Sequence, residues 1–253
     1  FAKEIQANWS RRLTENNRFD RNRFFFKLDI LGDLPTLSAD FSHVEEFVLI
    51  NHSSHLRAGK FLEGFPHLKF LTLRGVRLDA FPVETFGMRE LVILNLDNCN
   101  LRLDEATAEG LAHMDRLTEL DLANNPLGLA PYLGYMKGLE TLSLNNTGLE
   151  VVPPGLFELQ RLRLVDLSDN RIVSLPEELF DVDDTQKVIY MLRDNPLSES
   201  SKKNIADYFD NASLDRQISI QFDSDEALVW DNESDTEASD SGLSDADSDD
   251  EGR

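Results

Sequence analysis

The sequence predicts an α/β solenoid in which short parallel strands stack into one curved sheet. Two observations support this: a leucine pattern that recurs along the chain, and a nearly constant spacing between its copies. In Leu117–Leu127 the pattern reads LTELDLANNPL. Leu120 and Leu122 alternate, so both point inward from a short strand, while Glu119 and Asp121 point outward. One such unit cannot cover its own apolar face, and copies must therefore stack on both sides of it.

Seven units with this pattern are in register along the chain. Their first positions are Val44, Leu68, Leu91, Leu117, Leu139, Leu162 and Lys187. The intervals are 24, 23, 26, 22, 23 and 25 residues, within the period of about 20–29 residues of leucine-rich repeats. We therefore predict a leucine-rich-repeat solenoid of about seven repeats over residues 44–197, with the parallel sheet on its concave side.

The turn that follows each strand has a fixed position that asparagine often occupies. From the second unit onward the occupants are Val76, Cys99, Asn125, Thr147, Asn170 and Asn195, and the earliest unit has His52 there. A buried asparagine amide at this position can bond to backbone groups of its own coil and of the adjacent one. Cys99, the single cysteine, is predicted to be a small buried side chain rather than a nucleophile, because no neighbour in sequence would lower its pKa.

The two ends of the repeats are predicted to be capped. Residues 1–43 are predicted as a helical, locally basic cap, with Ile5, Trp9 and Leu13 at helical spacing and the run Phe24–Phe26 covering the open end of the solenoid. Residues 198–222 are predicted as a second cap, made of a helix from 198 to 209 and a terminal strand in QISIQF. Beyond it, residues 223–253 contain thirteen acids and one base, which predicts a disordered acidic tail or linker that acts as a spacer.

The convex side is predicted to consist of short helices or 3₁₀ turns. An apolar residue followed by proline begins three of these segments, at Phe81-Pro82, Val152-Pro153 and Leu175-Pro176. Proline is favourable there because its missing N–H would be unpaired at a helix start. The longer stretch LDEATAEGLAHM has room for a fuller helix, with Asp104 as its N-cap.

Motifs for catalysis, metals and nucleic acids are not found in the sequence, and we expect no cofactor. His43, His52 and His55 lack the cysteines or carboxylates that a zinc site usually includes, so we interpret them as loop histidines. The formal net charge of −22 disfavours nucleic acid and anionic membranes and favours basic partners. No apolar run approaches the roughly 20 residues of a membrane span. The sequence leaves the oligomeric state open.

The concave face is the predicted binding surface, because the outward strand positions combine acids and amides with large apolar residues. Four of these are apolar: Phe70, Ile93, Leu164 and Ile189. Solubility alone does not explain outward apolar residues on short strands, whereas a protein partner with a basic or mixed surface would bury them. The predicted contact residues are Phe70, Thr72, Arg74, Asn95, Asp97, Glu119, Asp121, Ser143, Asn145, Asp166, Ser168, Met191 and Arg193.

Several stretches resemble the repeat region of bacterial leucine-rich-repeat proteins of the NEL ("novel E3 ligase") ubiquitin-ligase family. They are GDLPTLSADFSHVEEFVL, the L-P-x-x-L-F turns, NPLSESSKKNIADYF and the acidic spacer after the repeats. The resemblance implies that the repeats select a target protein for a separate ligase domain carrying a Cys-x-Asp motif. Cys99 is followed by Asn100 and Leu101, so no catalytic residue is carried over. The resemblance also implies a cytoplasmic protein, or one secreted into a host cell.

A second class of function fits the same order of segments. A non-enzymatic repeat protein whose acidic tail binds basic proteins, such as histones, also has repeats followed by acids. The tails of that class are nearly pure Asp and Glu, whereas serine, alanine and glycine interrupt this one. A ligase domain encoded after residue 253 would distinguish the two classes in favour of the ligase family.

Overall fold

Ten strands form a single sheet in the computed structural model of the protein. The structure describes residues 3, 5–6, 23–27, 34, 36–39, 41–50, 55–56, 59–183, 185–211, 217–222 and 227–228. Nine strands of the sheet run parallel, and the tenth pairs antiparallel at its C-terminal edge. The leucine-rich-repeat solenoid predicted from the sequence is confirmed.

The strands follow one another in chain order, so each coil of the solenoid packs only against the coils before and after it. The sheet contains β1 (Arg23–Lys27), β2 (Glu46–Ile50), β4 (Phe70–Arg74), β6 (Ile93–Asn95), β7 (Glu119–Asp121), β8 (Thr141–Ser143), β9 (Leu164–Asp166), β10 (Ile189–Met191), β11 (Ser219–Gln221) and β12 (Ala227–Leu228). Two further short strands, β3 (His55–Leu56) and β5 (Arg77–Leu78), pair in parallel as a second sheet.

Short helices form the connections between these strands. They are α1 (Gly59–Leu62), the 3₁₀ helices η1 (Val83–Gly87), η2 (Leu156–Glu158) and η3 (Glu177–Asp181), α2 (Glu105–Ala112) and α3 (Glu199–Asp210). Each 3₁₀ helix follows one of the predicted apolar–proline pairs. Asp104 caps α2 as predicted, in a reciprocal capping box with Thr107. No helix among the described residues has the length and apolar composition needed to cross a bilayer.

The core is a continuous stack of inward strand side chains. Leu71, Leu94, Leu120, Leu142 and Val165 are fully buried, and the strand register places each directly beside the next. In the last unit, whose first position is Lys187, the lysine is exposed and Val188 is buried instead. A charged side chain cannot be buried without a partner, so the apolar neighbour fills the space.

The predicted asparagine position connects neighbouring coils. Asn125 is fully buried. Its Oδ1 accepts from the backbone N–H groups of Cys99 and Leu101, both at 2.9 Å, in the preceding coil. Its Nδ2 donates to the carbonyl oxygens of Leu96, Leu122 and Ala123. Asn170 and Asn195 repeat this arrangement in later coils.

The N-terminal flank differs from the predicted helical cap. Lys3, Ile5 and Gln6 are helical, but residues 23–27 form the parallel strand β1. Phe24 is fully buried and Phe25 is 54% exposed, which is the alternation of a strand. Phe24 packs edge-on against Phe41, with ring centroids 5.5 Å apart. The predicted helical residues Trp9 and Leu13 lie outside the described part of the chain.

The described residues after the last repeat include the helix α3 and the strand β11. In α3, Ile205 and Tyr208 are buried, and Ser198 is the N-cap. In QISIQF, Ile218, Ile220 and Phe222 are buried around β11. Within the segment predicted as a disordered tail, Ala227 and Leu228 form β12 on the open edge of β11, whose unpaired backbone groups can accept another strand. The rest of the tail lies outside the described residues.

Candidate functional site

The concave face is made of columns of side chains that the strand register aligns. One column contains Phe70, Ile93, Glu119, Thr141, Leu164 and Ile189. A second contains Thr72, Asn95, Asp121, Ser143, Asp166 and Met191. The four apolar residues of the first column lie in two pairs, because Glu119 and Thr141 separate Ile93 from Leu164. Phe70 and Ile189, at the two ends, are 38% and 39% exposed.

A third set of residues follows the strands and includes the predicted contacts Asp97 and Ser168. These two, and Ala123 at the same repeat position, have little exposed surface. Asp97 is 6% exposed, Ala123 5% and Ser168 9%. The Asp97 carboxylate forms an ion pair with the Arg74 guanidinium, with 2.7 Å between Nε of Arg74 and Oδ2 of Asp97. Arg74 itself stays 61% exposed. Asp97 therefore holds Arg74 in place, and it is the arginine that is available for contact at this end of the face.

A column of asparagines extends this ion pair across the next two coils. The Nδ2 of Asn124 donates to Oδ1 of Asp97 at 2.7 Å, and the Nδ2 of Asn146 donates to Oδ1 of Asn124 at 2.9 Å. Asn98, which comes directly after Asp97, lies beside them in the same groove. We call Arg74, Asp97, Asn124 and Asn146 the polar row. Because its members fix one another's rotamers, the row presents polar atoms in set positions.

Sequence reasoning missed Asn98, Asn124 and Asn146, although a signal for them exists. One residue comes directly before the turn position that Asn125 occupies in its coil. In successive coils this residue is Gly75, Asn98, Asn124, Asn146, Asp169 or Asp194. All six have a φ between 53° and 66°. Asparagine, aspartate and glycine are the residues that adopt this left-handed conformation most readily. Their recurrence at one repeat position therefore indicated a regular turn at the edge of the concave face.

Two hydrogen bonds hold the Asp121 carboxylate near the centre of the face. Its Oδ2 accepts from Nδ2 of Asn95 at 2.6 Å, and its Oδ1 accepts from the N–H of Ala123 at 3.0 Å. Burial raises the pKa of Asp121, and the negative charges of Asp97 and Glu119 add to this, against the lowering effects of the Ala123 N–H and of Arg74. A carboxylate that is costly to ionise in the free protein gains most from a cationic partner.

This raised pKa gives a pH-dependent expectation. Since the folded pKa exceeds the unfolded one, the folded state binds the proton more tightly, and the contribution of Asp121 to stability falls as pH rises between the two values. Asp121→Asn removes the titration. Lowering the pH through this window should therefore favour the parent protein over Asp121→Asn in urea unfolding. A constant difference between parent and Asp121→Asn at all pH values would contradict the assignment.

Other predicted contact residues are half-buried and keep polar atoms on the face. Asp166 holds Ser168 through the Ser168 N–H at 3.0 Å and through the serine hydroxyl. Asn145, Ser143, Met191 and Arg193 are also half-buried. Glu119 and Asp121 provide negative charge at the centre, and Arg74 and Arg193 provide positive charge towards the two ends. The geometry is therefore suited to a partner with donors in the middle of its contact surface.

Catalytic chemistry gains no support from the residues that the structure describes. Cys99 is fully buried, and its thiol donates to the Leu73 carbonyl oxygen at 2.9 Å. Burial raises the pKa of Cys99 to about 12, so the thiolate is not available near neutral pH. Within the described ranges, no three histidine, cysteine, aspartate or glutamate side chains are placed to hold a metal ion. His52 and the side chain of His55 lie outside the described residues.

Two family models for leucine-rich repeats match the chain, at residues 116–136 and 137–183. A volume-regulated anion channel subunit of Xenopus tropicalis (LRRC8E) is 32% identical over 129 residues, which is 50% of this chain and 16% of that protein. The chain thus spans about a sixth of the length of this relative.

Solved structures show the same fold. A leucine-rich-repeat protein of Leptospira interrogans has a TM-score of 0.54 and 24% identity, covering 72% of this chain and 50% of that one. The ectodomain of the Arabidopsis receptor kinase HAESA, solved with a peptide hormone ligand, has a TM-score of 0.52 and 26% identity, covering 67% and 29%. The chain therefore has the leucine-rich-repeat fold.

Proposed function

We propose that this domain recognises a protein partner through its concave face, from Phe70 on β4 to Arg193 after β10. The observation that carries the proposal is the set of fixed oxygen atoms near the centre of the sheet, above all the Asp121 carboxylate held by Asn95 and Ala123. Pre-organised acceptors bind with a smaller loss of side-chain freedom. Lysine, arginine and amide donors are the groups that such acceptors fit.

Two further features support a protein as the ligand. Phe70 and Ile189 expose large apolar surface on the same face as the carboxylates, a combination typical of protein interfaces. Arg74, the last residue of the strand that begins at Phe70, presents an exposed guanidinium, and arginine is enriched among residues that dominate binding energy. The peptide-bound HAESA ectodomain is consistent with an elongated ligand along such a face.

The experiment uses a photo-crosslinking residue at Ser143, in the centre of the face, and a second at the exposed Gln160 as a control. A partner captured at position 143 and not at 160 is then measured for association and dissociation rates. Reversal of Asp121 and Asp166 to lysine should slow association on the order of tenfold, because the central carboxylates attract a basic surface. Asp97 is left unchanged because it holds Arg74.

The matched control reverses the exposed acids Glu150 and Glu178, which lie outside the face and change the net charge equally. Slower association only with the concave pair supports the proposal. Equal slowing by both pairs would indicate a general charge effect, and no effect of the concave pair would reject the proposed face.

We further propose, on the sequence resemblance alone, that the partner is a target protein for a ubiquitin ligase domain. The relatives described above do not bear on this role. The alternative, an acidic-tailed protein that binds basic proteins through its tail, makes the opposite prediction for the concave variant. In that case partner binding survives Asp121→Lys with Asp166→Lys and is lost when residues 229–253 are removed.

A further inference from the structure

A basic groove lies where strands β9, β10 and β11 begin. Its lining includes Arg161, Arg163, Lys187 and Gln217, and we call these four residues the basic groove. Arg163 directly precedes β9, Lys187 lies two residues before β10, and Gln217 lies two residues before β11. All of them are therefore at the edge of the sheet where the parallel strands start, next to the exposed Ile189 of the concave face.

This groove is basic although the body of the chain is acidic. Residues 1–222 contain 34 acids and 24 bases, yet the groove combines three bases with a single acid, Glu140. Glu140 pairs with Arg163, at 3.5 Å between Oε2 and Nε. Among the described residues, no carboxylate forms an ion pair with Arg161 or Lys187. Both are exposed, so the groove offers two cations to an anionic segment.

The direction of β12 leads the chain to this groove. Ala227 pairs with Gln221 and Leu228 with Ile220, antiparallel to β11. The chain therefore leaves Leu228 towards the edge at which β11 starts. If the same register continues, Trp230 comes opposite Ile218 and Asp231 opposite Gln217, and Gln217 already lines the groove.

We propose that residues 231–237 of this chain bind in the basic groove. This segment reads DNESDTE, with acids at every second position: Asp231, Glu233, Asp235 and Glu237. An extended chain places alternate residues on one face, so these four carboxylates form one row. That row faces Arg161, Arg163 and Lys187, and Asn232, Ser234 and Thr236 lie on the other face.

The distances allow this contact. Three strand spacings of about 4.8 Å separate β12 from β9, which makes roughly 14 Å. Six extended residue steps from Asp231 to Glu237 span about 20 Å. The acidic segment is therefore long enough to cross β11 and β10 and to reach the arginines before β9 without unpairing β12.

Trp230 provides the readout, because the chain has two tryptophans, Trp9 and Trp230. In the 253-residue chain carrying Trp9→Phe, acrylamide quenching of fluorescence reports Trp230 alone. Reversal of Arg161 and Lys187 to glutamate should raise the quenching constant by about twofold at low salt, and high salt should abolish the difference through screening. Arg163 is left in place because it pairs with Glu140.

The matched control reverses Arg102 and Arg171, two exposed arginines that line a different groove, and should leave quenching unchanged. Replacing the four acids of 231–237 by lysine in the groove-reversed protein should restore protection. Circular dichroism melting confirms that each variant is folded. Equal effects of groove and control reversal, or no rescue by the charge exchange, would overturn the proposal. Protection that rises with protein concentration would also overturn it, since the segment would then bind a second copy.

Discussion

Leu142→Ala should lower the free energy of unfolding by about 2–5 kcal/mol, as large-to-small changes in a packed core do. Leu142 is fully buried at the centre of β8, between Leu120 and Val165 on the adjacent strands. The neighbouring coils are held by their own hydrogen bonds, so they cannot collapse fully into the cavity that the substitution leaves. Urea unfolding followed by circular dichroism measures the change.

Val151→Ala is the control for this change. It also removes aliphatic carbons, but Val151 is 58% exposed, so its effect should stay within about 0.5 kcal/mol. An unchanged unfolding midpoint for Leu142→Ala would mean that the inward register of the strands is wrong, and with it the outward register on which the proposed binding face depends.

Asn125→Ala should be comparably destabilising, although it removes no apolar surface. The substitution deletes the acceptor for the N–H groups of Cys99 and Leu101 and the donor to three carbonyl oxygens. Buried polar groups left unpaired cost about 1–3 kcal/mol each. Because water can enter part of the space, we expect a total loss on the order of 3 kcal/mol.

Two further asparagines provide a graded comparison for this prediction. Asn195 is only half-buried, and its Oδ1 accepts from the single N–H of Ile172, so Asn195→Ala should cost less than Asn125→Ala. Asn204 lies exposed on α3, and its replacement by alanine should have little effect. A loss that is equal at positions 125 and 195 would show that inter-coil hydrogen bonds do not determine the cost.

The repeats could be predicted because their signal is physical and repeated seven times. Each repeat independently requires two inward apolar residues that are two positions apart. A wrong register in one repeat would therefore conflict with the register of the others. The strands β1 and β12 carry no such repetition. Phe24–Phe26 reads only as an apolar run, and Ala227-Leu228 is short and surrounded by acids. Their pairing is decided by the open edges of β2 and β11, which only the assembled sheet creates.

The same alternation along the strands predicted which residues lie on the concave face, but it did not predict their hydrogen bonds. Asp97 was predicted as an outward contact residue, and the structure places it beneath Arg74 at 6% exposure. Its partners come from coils 23 and 27 residues away in sequence. The alternation of residues along a strand predicts the face on which a side chain lies. Its hydrogen-bond partner depends in addition on the turn geometry of two neighbouring coils.

The buried turn asparagines, which we call the asparagine ladder, also make the two ends of the solenoid unequal. Asn125, Asn170 and Asn195 each complete the backbone of the coil that precedes them, through the N–H groups of Leu101, Leu149 and Ile172. A coil lost from the C-terminal end therefore leaves unpaired donors in the coil that remains. A coil lost from the N-terminal end leaves only the amide of the asparagine side chain without its partners in that coil, and water satisfies an exposed side-chain amide readily. Mechanical unfolding should accordingly be asymmetric, with pulling from the C-terminal end disrupting the coils one by one against this ladder.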